Sequence, residues 1–83
     1  MKKYLVDVYL PALGNHYDVY LPAGKRIDEA IELLGNIVES LSRGVFIKTE
    51  YSILLNAQNG EPLDSNQTVH DAGIRNSSNL LLI

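Results

Sequence analysis

The sequence has 83 residues, of which 46% are apolar, and its formal net charge is −3 at pH 7. This length fits one small domain near the lower size limit for an independent core. The sequence has no cysteine, so disulfides and thiolate metal sites are not expected. Its seven Lys and Arg residues are scattered, so a nucleic-acid partner is not expected either.

Two alternating runs at the start of the sequence predict a β-hairpin. From Tyr4 to Leu10 the even positions are apolar and should face the core. Pro11 ends this run because proline has no N–H to donate to a strand ladder. Gly14-Asn15 favours a turn. His16 to Leu21 alternates again, with its odd positions inward, so the two runs form a hairpin.

A helix is predicted next, because apolar residues recur at intervals of three and four positions. Gly44 is placed to end this helix in the left-handed conformation. The apolar part of the following segment, Val45 to Ile47, is expected to pack under the end of the helix. The apolar stripe of the predicted helix consists of Ile27, Ala30, Ile31, Leu34, Val38 and Leu41.

The second half of the sequence predicts short strands separated by turns. Tyr51 to Leu55 forms a third strand, and Asn59-Gly60 is a strong turn signal before a short edge strand at Glu61 to Leu63. Thr68 to Asp71 has the pattern of a capping box and predicts one short helical turn. The run Asn79 to Ile83 predicts a last strand that is buried on at least one face.

This order of elements predicts a two-layer α+β domain, in which one sheet face covers one amphipathic helix. It is the order of the β-grasp, or ubiquitin-like, fold: a mixed four- to five-stranded sheet on one helix, here as a single domain over residues 1–83. The stretch 59–83 resembles the third-strand turn, short helix, buried isoleucine and last strand of ubiquitin. The resemblance implies that the first and last strands lie parallel at the centre of the sheet. Leu80 and Leu82 should then pack against Val6, Val8 and the helix.

The sequence is also similar to the small bacterial YukD/EsaB proteins of type VII secretion loci. The similarity is carried by Tyr-Asp-Val-Tyr-Leu-Pro (17–22), by Ala-Gly-Ile-Arg-Asn (72–76) and by the terminal Leu-Leu-Ile. It departs at Ser77, where that family is expected to favour glycine, and residues 44–51 do not align. The resemblance implies a cytoplasmic accessory or regulatory component whose partners are proteins of the secretion machinery.

No residue pattern points to catalysis, to a cofactor or to a metal. His16 is expected on an outward strand face and His70 in a surface turn, each as a solvated side chain, and Asp71 is explained by the predicted cap. No Gly-Gly pair occurs in the sequence, so neither conjugation nor sulfur carriage is expected. Asp7 interrupts the apolar run that a signal peptide requires, and no stretch approaches the roughly 20 apolar residues of a membrane span.

The outward face of the predicted sheet is the candidate protein-binding site, because a contiguous apolar patch usually marks a binding surface. Leu13 is included because it takes a place similar to a recognition leucine in the first turn of ubiquitin. Two alternatives remain: a loop or Val45 to Ile47 covers the face, or the face forms a homodimer. The candidate residues are Leu5, Tyr9, Leu13, Tyr20, Leu54, Leu81 and Ile83.

Overall fold

One mixed sheet and one helix make up the regular structure of residues 2–45 and 52–83, which are the residues that this computed structural model describes. The elements are β1 (Lys3–Leu10), β2 (Asn15–Pro22), α1 (Ile27–Leu41), β3 (Leu54–Asn56) and β4 (Asn79–Leu82). The four strands lie in the order β2-β1-β4-β3. β1 and β4 are parallel neighbours at the centre, and the other two pairs are antiparallel. The predicted ubiquitin-like architecture is confirmed, with four strands.

The hairpin of β1 and β2 has the predicted inward face. All even positions from Tyr4 to Leu10 are buried, because they point to the helix side of the sheet. Val19 and Leu21 of β2 are buried beside them. The connecting loop ends at Gly14, whose φ of +65° is a conformation that glycine adopts without strain.

The helix lies across this face and is buried along most of the predicted stripe. Ile27, Ala30, Leu34 and Val38 have no solvent-accessible surface, and Ile31 is half-buried. Leu41, in contrast, is 60% exposed, because it follows the last core contact of the helix at Val38. Its predicted place in the buried stripe is therefore wrong.

Polar contacts mark the start of the helix, and residues with positive φ mark its end. Before its first turn, Arg26 donates to Asp28 over 2.6 Å, and this hydrogen bond lowers the pKa of the Asp28 carboxyl. The Arg26 backbone N–H donates to the Glu29 carboxylate at 3.2 Å. At the other end, Arg43 and Gly44 both have positive φ, so the predicted left-handed stop at Gly44 is confirmed.

The segment after the helix differs from the prediction where it is described. Val45 is 74% exposed and does not pack under the helix. Phe46 and Ile47, and the start of the predicted third strand at Tyr51, lie outside the described residues. β3 itself has only three residues, Leu54–Asn56.

The predicted edge strand at Glu61 to Leu63 is reduced to a single bridge between Leu55 and Pro62. The bridge is flanked by two hydrogen bonds of 2.9 Å, from Asn56 N to Glu61 O and from Leu63 N to Leu54 O. Pro62 has no N–H, so it cannot continue the ladder at its outer side.

The stretch from Thr68 to Ile74 closes one end of the core. Thr68 Oγ1 accepts from Asp71 N at 3.1 Å, as the predicted cap requires. A turn rather than a helix follows, because Gly73 takes a φ of +88° immediately afterwards. Ile74 is 2% exposed and fills the core as predicted.

The last strand completes the core from the centre of the sheet. Leu80 and Leu82 are buried at 2% and 1% exposure, and Leu80 pairs with Val8 of β1. The turn before this strand contains Ser77 at φ +69°, a conformation that favours glycine. That geometry gives a physical reason for the glycine expected at this position.

Candidate protein-binding face

The outer face of the sheet is built by the odd positions of β1 and β4, because side chains alternate between the two faces of a strand. Register then places these positions in rows that run across the strands. Tyr9 lies opposite His16 on one side and opposite Leu81 on the other. Leu81 lies opposite Leu55 of β3, so one row crosses all four strands.

The next row contains Ile83 and Ile53, which exchange backbone hydrogen bonds of 2.8 and 3.0 Å. Ile83 is 52% exposed and Ile53 is 41% exposed. The other apolar side chains of the two rows are half-buried among their neighbours. We call this set the apolar block; it consists of Tyr9, Ile53, Leu55, Leu81 and Ile83.

Leu54 does not belong to this face, which corrects the prediction. It pairs with Leu82, points to the helix side and is only 1% exposed. Leu55 takes the outward place instead. Because residues 53–55 are all apolar, the sequence contains no alternation that would set the phase of this strand.

Leu13 also lies elsewhere than predicted. It is half-buried and packs against the core cluster rather than on the outer sheet face. The loop folds back over β1, because Leu13 N and Gly14 N both donate to Leu10 O, at 3.1 and 2.9 Å. This geometry turns Leu13 toward the core.

The remaining predicted residues, Leu5 and Tyr20, are exposed but stand apart from the apolar block. They face each other across β1 and β2, with exposures of 39% and 60%. Between them and the block lies a polar row, in which Asp7 is opposite Asp18. The outer face therefore has two apolar areas divided by an acid pair, Asp7 and Asp18. This division of the outer face can be read from the sequence, because both aspartates occupy outward positions of the predicted hairpin.

One aromatic side chain and one imidazole adjoin the acid pair. His16 Nδ1 lies 3.0 Å from one Asp7 carboxylate oxygen and 3.1 Å from the other. The His16 ring also contacts Tyr9, with ring centroids 4.5 Å apart. In the described ranges, Asp18 has no hydrogen bond or ion pair through its side chain. One carboxylate of the pair is therefore held, and the other points to solvent.

His70 has a structural environment that the sequence did not reveal. Its Nδ1 lies 2.5 Å from the Tyr4 hydroxyl, and its Nε2 lies 3.3 Å from Arg75 Nη2. Arg75 also donates to the backbone oxygens of His70 and Ile74, at 2.8 and 2.7 Å. These bonds fix the 68–75 turn against the first strand.

Residues 2–45 and 52–83 contain no cluster of three His, Cys, Asp or Glu side chains that could hold a metal ion. The helix described in these ranges is not long and apolar enough to cross a membrane.

Comparison with known proteins identifies the fold. No protein-family model matches the sequence, and no curated protein matches it. Solved structures do match. The EccD5 ubiquitin-like domain from Mycobacterium xenopi superposes with a TM-score of 0.82 at 19% identity, over 100% of this chain and 94% of that chain.

Two further structures come from type VII secretion. The ubiquitin-like domain of ECCD1 from Mycobacterium tuberculosis has a TM-score of 0.80 at 18% identity, over 100% of this chain and 99% of that chain. A chain of the MycP5-free ESX-5 inner membrane complex has a TM-score of 0.82 at 18% identity. The match covers 100% of this chain but only 21% of that larger chain. These likenesses establish a ubiquitin-like fold.

Proposed function

We propose that this protein is a non-conjugated ubiquitin-like binding module that serves as a cytoplasmic accessory or regulatory component of a bacterial type VII secretion system. Its mechanism is docking through the outer sheet face onto a protein of that machinery. The proposal includes no catalytic activity and no bound cofactor. The YukD/EsaB proteins are the group that it resembles in sequence.

The observation that carries this proposal is the apolar block. Five apolar side chains lie on two adjacent rows, and two of them, Ile53 and Ile83, are about half exposed. Isolated exposed apolar residues are ordinary, whereas contiguous ones usually mark an interaction site. The similarity to ubiquitin-like domains of secretion components supports the choice of machinery.

One feature favours binding over conjugation. The sequence contains no Gly-Gly pair, and conjugation requires a flexible Gly-Gly tail whose carboxylate can be adenylated. Intact-mass analysis after incubation with an adenylating enzyme and ATP tests this part; an adenylate or thiocarboxylate product would overturn it.

Affinity capture from crosslinked native cells tests the docking face. We expect the wild-type protein to recover a component of the secretion machinery, and Leu81→Asp or Leu5→Asp to lose it. Val45→Asp is the matched control, because it places the same charge on an exposed apolar residue away from the sheet. If capture survives Leu81→Asp in a folded variant, as judged by circular dichroism, the sheet face is not the docking surface.

Light scattering across a range of concentrations tests the homodimer alternative. A dimer that dissociates on Leu81→Asp would assign the same face to self-association. A monomer at all concentrations would leave the face free for another protein.

A further inference from the structure

We propose that the partner of the outer sheet face is a basic amphipathic helix, with a Lys or Arg side chain that contacts the acid pair and apolar side chains on both sides of that cation. This inference rests on the proposed docking function and specifies the chemistry of the partner. Its basis is the position of Asp7 and Asp18 between two apolar areas.

Asp7 and Asp18 lie directly opposite each other in the register of β1 and β2. Ala23 N donates to Lys2 O at 2.9 Å, which fixes the even positions of β1 as the hydrogen-bonded pairs with β2. Asp7 and Asp18 are therefore a non-hydrogen-bonded pair, in which side chains approach most closely. Like charges directly opposite each other on a sheet are destabilising. A cation supplied by a partner relieves that repulsion.

The chain supplies little compensation of its own. His16 forms a hydrogen bond with Asp7 only, and Asp18 has no hydrogen bond or ion pair through its side chain among the described residues. Lys3, on the same face, lies two rows beyond Asp7, at about 13 Å for four residues of strand. On the other side of Asp7, the same row continues with Asn79 of β4, which is uncharged.

The surroundings of the acid pair define the pattern of the partner. Leu5 and Tyr20 lie one row away on one side, and Tyr9 and Leu81 lie one row away on the other, each at about 7 Å. On a helix, residues four apart are separated by about 6 Å along one side. A cation with apolar residues four positions before and after it therefore matches all three rows.

A helix fits this face better than an extended strand. The backbone groups of β1 and β4 are used within the sheet, so the face itself offers side chains and no row of free N–H and C=O groups. A docking segment must then satisfy its own backbone, which a helix does. Four strands about 4.8 Å apart also span a width of about 14 Å, enough for one helix of about 10 Å diameter.

The test is selection from a displayed library of random helical peptides on three forms of the full chain: wild type, the double variant Asp7→Asn with Asp18→Asn, and Leu81→Asp. We expect wild type to enrich helices with Lys or Arg flanked by apolar residues at spacing four. The double variant should enrich apolar helices without that preference. Peptides selected on wild type should bind the double variant about two- to fivefold more weakly per carboxylate removed, and the difference should shrink at high salt.

The outcomes separate the two proposals. If the double variant selects the same basic pattern, or if wild type shows no basic preference, the charge inference is wrong while the face remains a docking site. If wild-type peptides bind Leu81→Asp equally well, the docking face itself is wrong. Selection of no helical peptide by wild type counts against the helical partner. Thermal unfolding of each variant checks that it is folded, and Glu61→Gln serves as a control for the loss of one negative charge elsewhere.

Discussion

The Tyr4 hydroxyl and the His70 imidazole, 66 positions apart in the sequence, form a direct hydrogen bond. On the other side of the ring, His70 Nε2 lies 3.3 Å from Arg75 Nη2. The imidazole is therefore placed between the Tyr4 hydroxyl and the Arg75 guanidinium, and it links the first strand to the 68–75 turn.

This bond makes the Tyr4 hydroxyl a structural group. We expect Tyr4→Phe to lower the free energy of unfolding by about 1 kcal/mol, because the His70 Nδ1 atom loses its hydrogen-bond partner. Urea denaturation measures the change. Tyr20→Phe is the control, since the Tyr20 side chain is 60% exposed on the outer face. Equal stability of Tyr4→Phe and wild type would show that the bond contributes nothing.

Removing one charge of the acid pair should have the opposite effect and increase stability. Asp18→Asn should raise the free energy of unfolding by about 0.2–1 kcal/mol, because it removes one of two like charges while leaving the hydrogen bond between Asp7 and His16. Thermal unfolding at low and high salt checks this, and the gain should fall as salt screens the charges. A loss of stability at low salt would contradict the argument. If Asp18→Asn raises the free energy of unfolding and also weakens partner binding, the acid pair favours function at the expense of stability.

Adjacent leucines on β3 should respond differently to truncation. Leu54→Ala removes a side chain that is 1% exposed and should lower the free energy of unfolding by about 2–5 kcal/mol. Leu55→Ala, on the half-buried outer side, should lower it by less and should weaken partner capture instead. Chemical denaturation and the capture assay measure the two effects. The reverse order of stabilities would place Leu55 in the core.

The turn before the last strand can be stabilised. Ser77 has φ +69°, and we expect Ser77→Gly to raise the free energy of unfolding by about 1 kcal/mol by removing that strain. Ser40→Gly is the matched control, because Ser40 is exposed within the helix and glycine should lower stability there by about 0.5 kcal/mol. Two decreases of similar size would mean that Ser77 is not strained.

The parts of the fold that the sequence predicts well are those where two independent signals agree. In the hairpin, alternation sets the faces while Pro11 and Gly14 set the turn, and the observed register follows. In the helix, the apolar stripe and the glycine stop agree, so the helix lies where it is predicted, and only the predicted burial of Leu41 is wrong.

The candidate site was predicted less completely, for two physical reasons. Three consecutive apolar residues at 53–55 contain no periodicity, so the choice between Leu54 and Leu55 depends on pairing with β4. The loop around Leu13 is shaped by backbone hydrogen bonds to Leu10, which no side-chain pattern encodes. In contrast, the alternating pattern of the two strands does place both aspartates on the outer face, where they divide it.

The central position of β4 has a kinetic consequence. Val8 pairs with Leu80, so the two strands that meet at the middle of the sheet come from opposite ends of the sequence. Contacts between residues so far apart in the sequence form slowly, because the chain loses the entropy of loop closure before it gains the contact energy. A chain that has formed its hairpin and helix still presents β1 as an open edge, and such edges recruit other chains. Docking of the last strand therefore covers the β1 edge, and β2 remains as an edge of the finished sheet.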